Sequence, residues 1–103
     1  MELKELIKRA KEVKEKYRKI NQKPWGVAEY AQGLVGDVGN LVKLVMVKDG
    51  FREIEDVDKK LVHELSDCLW SILVIADELG IDLEHQFIYQ MDKLEERIDR
   101  GGK

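Results

Sequence analysis

The sequence predicts an all-α protein: one domain over residues 1–103, built as a four-helix bundle. Apolar residues recur at spacings of three and four through four separate segments. No segment shows the alternation of a strand, and the breaks between the periodic segments are short. Such a pattern gives long helices joined as mostly antiparallel neighbours.

The first helix is expected over residues 2–20, with Leu3, Leu6, Ile7, Ala10, Val13, Tyr17 and Ile20 on its apolar face. Asn21 to Pro24 ends it, because proline disfavours helical geometry in the residue before it. The second is expected over residues 26–48, with Leu34, Val38, Leu41, Val42 and Val45 as its apolar stripe and Asp49-Gly50 as its end. Phe51 to Glu55 reads as a connection. The third is expected over residues 57–79, capped by Asp56 or Asp58 and closed by Gly80. Its second half, Cys68 to Ala76, is apolar on all sides, so it is expected at the centre, buried all round. The fourth is expected over residues 83–100, with Asp82 as N-cap, a buried stripe of Leu83, Phe87, Met91, Leu94 and Ile98, and Gly101-Gly102 as its end.

Composition excludes several classes. With 44% apolar and 38% charged residues the chain is too apolar for disorder. A net charge of -3 argues against a nucleic-acid polymer as partner. Residues 1–20 carry about +4 and the remainder about -7, so the first helix is either a solvated basic face or a steering surface for anions. The single cysteine, Cys68, forms no internal disulfide and sits in an apolar run as a small core residue. The run from Cys68 to Ala76 is too short to span a bilayer, and the first residues lack the apolar core of a secretory signal. A cytoplasmic protein is expected.

Two polar pairs carry chemistry. Glu64 and Asp67 are three apart on the third helix, and Asp37 and Asn40 three apart on the second, roughly opposite its apolar stripe. If the two helices pack together, four oxygen-bearing side chains converge, the donor type that Mg²⁺ or Mn²⁺ takes. The alternative is ordinary surface chemistry, with Glu64 paired to Lys60 and Asp67 in solvent. Gly33, Gly36 and Gly39 recur within the second helix, each costing about 1 kcal/mol against alanine. Either a closely packed helix or room for a ligand beside Asp37 offsets that cost, or the segment is not one continuous helix.

Trp25, then Gly36-Asp37-Val38-Gly39-Asn40-Leu41-Val42-Lys43, then His63-Glu64-Leu65-Ser66-Asp67, resembles the MazG-like all-helical nucleoside triphosphate pyrophosphohydrolases. Their signature is E-E-x-x-E on one helix and E-x-x-D on the next. Ala76 to Leu83 is similar to the family's connection into its last helix, and Lys93, Arg97 and Arg100-Gly101-Gly102 to its basic C-terminal pattern. The E-x-x-D element is intact at Glu64 and Asp67, whereas the first element reads Gly36-Asp37-x-x-Asn40, two carboxylates short and with one ligand shortened.

The resemblance implies cleavage of a nucleoside triphosphate between its α and β phosphates, with Mg²⁺ required (Mn²⁺ as a substitute), in a homodimer or homotetramer with sites at subunit interfaces. It implies Asp37, Asn40, Glu64 and Asp67 as metal ligands, with Asp37, Glu64 and Asp67 catalytic. Lys93, Arg97 and Arg100 are implied phosphate contacts, and Trp25 a base-stacking residue. Against these stand surface pairing of the three cations with their acidic neighbours, a loop-closing Trp25 and a structural His63. Three readings follow: a metal-dependent pyrophosphohydrolase; a degenerate relative that binds a nucleotide or a protein partner without hydrolysis; and a helical oligomerisation module.

Overall fold

The computed structural model describes residues 2–20, 25–50 and 55–101. Four helices form: α1 (Leu3–Ile20), α2 (Val27–Lys48), α3 (Val57–Glu78) and α4 (Leu83–Asp99). No strand occurs among the described residues. The breaks assigned to Asn21–Pro24 and, apart from Glu55, to Phe51–Glu55 lie outside the described residues, as does Gly102. None of these helices is long and apolar enough to cross a membrane.

The ends follow local chemistry. The Glu29 carboxylate accepts the Gly26 N–H at 2.8 Å at the start of α2. Gly50, Gly80 and Gly101, with φ of 96°, 68° and 72°, take the left-handed geometry that closes α2, α3 and α4. Asp82 caps α4, accepting the His85 N–H at 3.4 Å. The caps expected for α3 do not form: Asp56 occupies the N-cap with φ of 56° and makes no side-chain cap bond. Asp58 instead pairs with Lys48 at 2.6 Å, tying the start of α3 to the end of α2.

α3 is the central element, packed most extensively on α2 and then on α1. Ala10, Tyr30, Leu73 and Val74 form the core, with Leu3, Leu6, Ile7, Trp70 and Leu83 against it. The core face of α2 is Val27, Tyr30, Leu34, Asp37, Leu41, Leu44 and Val47, a row at helical spacing that includes a carboxylate. Asp37 therefore faces α3. Val38, Val42 and Val45, read as part of the apolar stripe, are exposed. On α3, Cys68, Ser71, Leu73, Val74 and Ala76 are buried, but Leu69 and Ile72 are not, so the helix is not enclosed on every side within one chain.

α4 has no buried residue. Phe87, Met91, Leu94 and Ile98, read as its buried stripe, are exposed, because the helix leaves the core after Leu83. The radius of gyration is 16.6 Å, against about 13 Å for a compact chain of this length.

α1 departs from its apolar pattern in its second half. Lys14 is buried, and its ammonium donates to Glu78 at 3.1 Å and Asp77 at 3.3 Å. Tyr17 and Ile20 are exposed beyond it. Burial works against the Lys14 charge, but the bonds to Glu78 and Asp77 outweigh it and raise its pKa above 10.5. Since the folded value exceeds the unfolded one, this stabilisation is complete below pH 10.5 and is lost as pH rises through the folded value. Lys14→Met leaves Asp77 and Glu78 without their partner and should cost about 2 kcal/mol near neutral pH. Urea titration reads that loss, and the gap from wild type should narrow at more alkaline pH. An unchanged midpoint would remove this ion group from the supports of the fold.

Candidate metal centre

The antiparallel α2–α3 pair sets the site. The core row of α2 brings Asp37 to α3, and the facing row of α3 carries Leu61, Glu64, Cys68 and Ser71. Asp67, one helical turn beyond Glu64, flanks that row. Asp37, Glu64 and Asp67 are all partly buried, and each offers a carboxylate oxygen within 4.8 Å of the other two. Three like charges so close repel one another, and burial removes the water that would screen them.

The surrounding bonds leave that repulsion largely uncompensated. Glu64 Oε2 is buried and has no hydrogen-bond partner. The alternative Lys60–Glu64 ion pair does not relieve that oxygen. Asp67 Oδ2 lies 3.1 Å from His63 Nε2, so His63 braces a carboxylate of the cluster from its solvent side. Burial pushes the neighbouring Cys68 thiol pKa up, and the negative charges of Asp37, Glu64 and Asp67 push it further. An orphaned buried carboxylate oxygen among hard oxygen donors suits a divalent cation that takes such ligands and keeps water or phosphate in its remaining positions.

Asn40 is exposed one turn along α2 from Asp37. With Glu64 it lines a second cleft toward the α2–α3 connection. Gly36 and Gly39 have open space where a Cβ would stand, so no helix of this chain packs closely against them. At Gly33 a Cβ would meet the Trp25 ring at 3.7 Å.

On the other side of the carboxylates, α1, α2 and α3 enclose a cleft of about 620 Å³ walled by Tyr17, Trp25, Tyr30 and Trp70, with Asp37 and Asp67 at its edge. The rings form a chain of contacts. Trp25 meets Tyr30 edge-on at 5.4 Å, Tyr30 meets Trp70 edge-on at 5.6 Å, and Tyr17 lies 6.0 Å from Trp70. The Trp70 Nε1–H donates to the Ala10 carbonyl at 3.2 Å, fixing that ring against α1. Trp25 is 45% exposed, which leaves part of its ring available. Sequence places Tyr17 on the apolar face of α1 and Trp70 in the apolar run of α3, but marks neither of them, nor Tyr30, as a site residue. The signal was their register: Trp70 is one turn from Asp67, and Tyr30 two turns from Asp37.

Lys93, Arg97 and Arg100 are not brought to the cluster within one chain. They lie along and at the end of α4 and line neither cleft. Lys93 sits 5.5 Å over the Tyr89 ring and 3.7 Å from Glu96.

The family model described as the MazG nucleotide pyrophosphohydrolase domain matches residues 2–101. The Gene 37 protein of Mycobacterium phage L5 is 32% identical over 80 residues, covering 74% of this chain and 69% of the phage protein. No solved structure matches the chain. With its helices, its paired acidic elements and a family match over nearly its whole length, this chain belongs to the MazG nucleotide pyrophosphohydrolase domain family.

Proposed function

We propose that this protein hydrolyses a nucleoside triphosphate to the monophosphate and pyrophosphate at the α2–α3 groove, in the cytoplasm where such substrates are abundant. The observation that carries this reading is the orphaned Glu64 Oε2 within a carboxylate trio, beside an aromatic cleft. Asp37, Glu64 and Asp67 would hold Mg²⁺, or Mn²⁺ in its place, with Asn40 available as a neutral oxygen donor. When bound, the cation supplies charge that offsets the phosphates and orients the attacking water.

The chain's own groups do the rest. Trp25, with Tyr30 and Trp70 behind it, offers a π-face to the base. In the reaction, the water oxygen bonds to the α-phosphorus and the bond from that phosphorus to the α–β bridging oxygen breaks. The bridging oxygen leaves on pyrophosphate, and a carboxylate of the trio takes a water proton. His63 holds Asp67 while this occurs. Asn40 and Gly36 favour a second reading, a relative that binds nucleotide without turnover, because the site has fewer charges to hold a cation.

A second copy of the chain completes this picture. Val38, Val42 and Val45 on α2, Leu65 and Leu69 on α3, and the α4 stripe are exposed apolar faces at helical spacing. Covering them in a homodimer or homotetramer would let α4 of another copy carry Lys93, Arg97 and Arg100 toward the phosphates.

Pyrophosphate release from a panel of ribo- and deoxyribonucleoside triphosphates should require Mg²⁺ or Mn²⁺ and vanish in Asp67→Asn. Release that persists in the folded variant would refute the assignment, and nucleotide binding without release would favour the second reading. Mn²⁺ should raise the melting temperature of wild type but not of Glu64→Gln, since only binding to the folded state stabilises it. Asn40→Glu should tighten the ion about tenfold, because affinity follows ligand charge. In sedimentation, wild type should be a dimer or larger at micromolar concentration and Leu69→Glu should dissociate. A wild-type monomer would contradict the shared interface.

A further inference from the structure

The α2–α3 groove changes character along its length. At the α1 end it is aromatic, at the middle acidic, and at the end near the α2–α3 connection basic. There a cleft of about 520 Å³ is lined by Asn40, Lys43, Lys59, Lys60 and Glu64, with Asp56 as its other carboxylate. Lys43, Lys59 and Lys60 make no ion pair among the described residues, whereas Lys48, close by on α2, closes on Asp58 at 2.6 Å. Three lysines against two carboxylates leave this cleft a surplus of positive charge that an anion would stabilise.

Glu64 joins the two regions, since it belongs both to the carboxylate trio and to the wall of the basic cleft. A ligand anchored at the trio therefore has the cleft beside it, across Glu64. Lys60 lies seven residues from Asp67 and Lys43 six from Asp37, about 10 Å along each helix axis, and lysine side chains reach back across part of that. This is the scale of a phosphate chain rather than of a second nucleoside. His63, on the same wall, has its Nε2 turned to Asp67 and is occupied there.

We propose that Lys43, Lys59 and Lys60 form the subsite for the departing pyrophosphate, so that a substrate lies with its base toward α1 and its terminal phosphates toward the α2–α3 connection. The identity of the anion rests on the pyrophosphohydrolase reading. When the bond between the α-phosphorus and the bridging oxygen breaks, the charge gained by the β-phosphate meets these ammonium groups. The water-derived oxygen stays on the monophosphate at the acidic end. Asn40 stands at the junction, where its amide N–H groups can donate to phosphate.

The test is calorimetric titration of inorganic pyrophosphate, in the presence of Mg²⁺, into wild type, Lys43→Gln/Lys60→Gln and the charge-matched control Lys16→Gln/Lys19→Gln. Circular dichroism checks the fold of each. The groove double variant should lose at least about tenfold in pyrophosphate affinity, as two charge-assisted bonds are removed. The control should stay near wild type, and affinity for a nucleoside monophosphate should be unaltered in all three. Equal losses in both double variants, an unchanged groove variant, or no binding by wild type would overturn the subsite. Wild type that binds pyrophosphate through these lysines yet releases none from any triphosphate would defeat the hydrolase reading and keep the anion subsite. Full turnover with an unchanged groove variant would do the reverse.

Discussion

A carboxylate on the inner row of a helix hairpin has to find donors or a cation, because the neighbouring helix displaces the water that would otherwise solvate it. Asp37 and Glu64 hold such places on α2 and α3, with Asp67 at the flank. Hydrophobic residues at both positions would pack the hairpin more tightly, so the chain carries a local cost in the middle of its main helix pair. The two clefts are arranged around that cost. The aromatic one opens from Asp37 and Asp67 toward α1, and the basic one from Glu64 toward the connection. Antiparallel pairing fixes this order, since it sets residues in the thirties of α2 against the late sixties of α3.

The helices themselves were legible because their signal is local. Three- and four-residue spacing, a capping Asp82 and glycines that accept positive φ are written within a few residues of each end. The acidic pairs were legible for the same reason, as each lies within one turn of one helix. Which face of each helix points inward was less so. On α2 the apolar residues form two adjacent rows, and periodicity cannot say which one meets α3. The row that does includes Asp37, which a hydrophobicity pattern counts as a surface residue. Lys14 was missed by the same logic, since its burial depends on Asp77 and Glu78, more than sixty residues away. The basic cleft was hidden too. From sequence Lys60 reads as a partner for Glu64 and Lys43 as part of the family-like motif, and only the hairpin sets them across one cleft.

α4 poses the opposite case. Its apolar stripe has the periodicity of a packed helix, yet nothing among the described residues covers it. The exposed rows on α2 and α3 follow the same rule, and exposed apolar rows at helical spacing are surfaces suited to a partner. Three packed helices also give a domain of this length a small core, anchored among the described residues by the fully buried Val74. The Lys14 group reinforces that core from outside by locking α1 to the end of α3, so the aromatic wall shared between α1 and α3 keeps its shape. Tyr17 and the Trp70–Ala10 bond lie on the same α1–α3 contact.

Substitution at the first acidic element redistributes charge within the groove. An amide at Asn40, where the family signature carries a carboxylate, would weaken the hold on a cation but also removes a negative charge from the border with Lys43, Lys59 and Lys60. A phosphate chain crossing that border meets two carboxylates of the cleft, Glu64 and Asp56, rather than three. On the proposed reading the cation and the lysines would act on the same anion, so affinity lost at the trio would be recovered in part at the cleft. The weight of recognition would thereby shift toward the protein's own ammonium groups. In such a site the lysines would matter most when product charge develops on the departing phosphate.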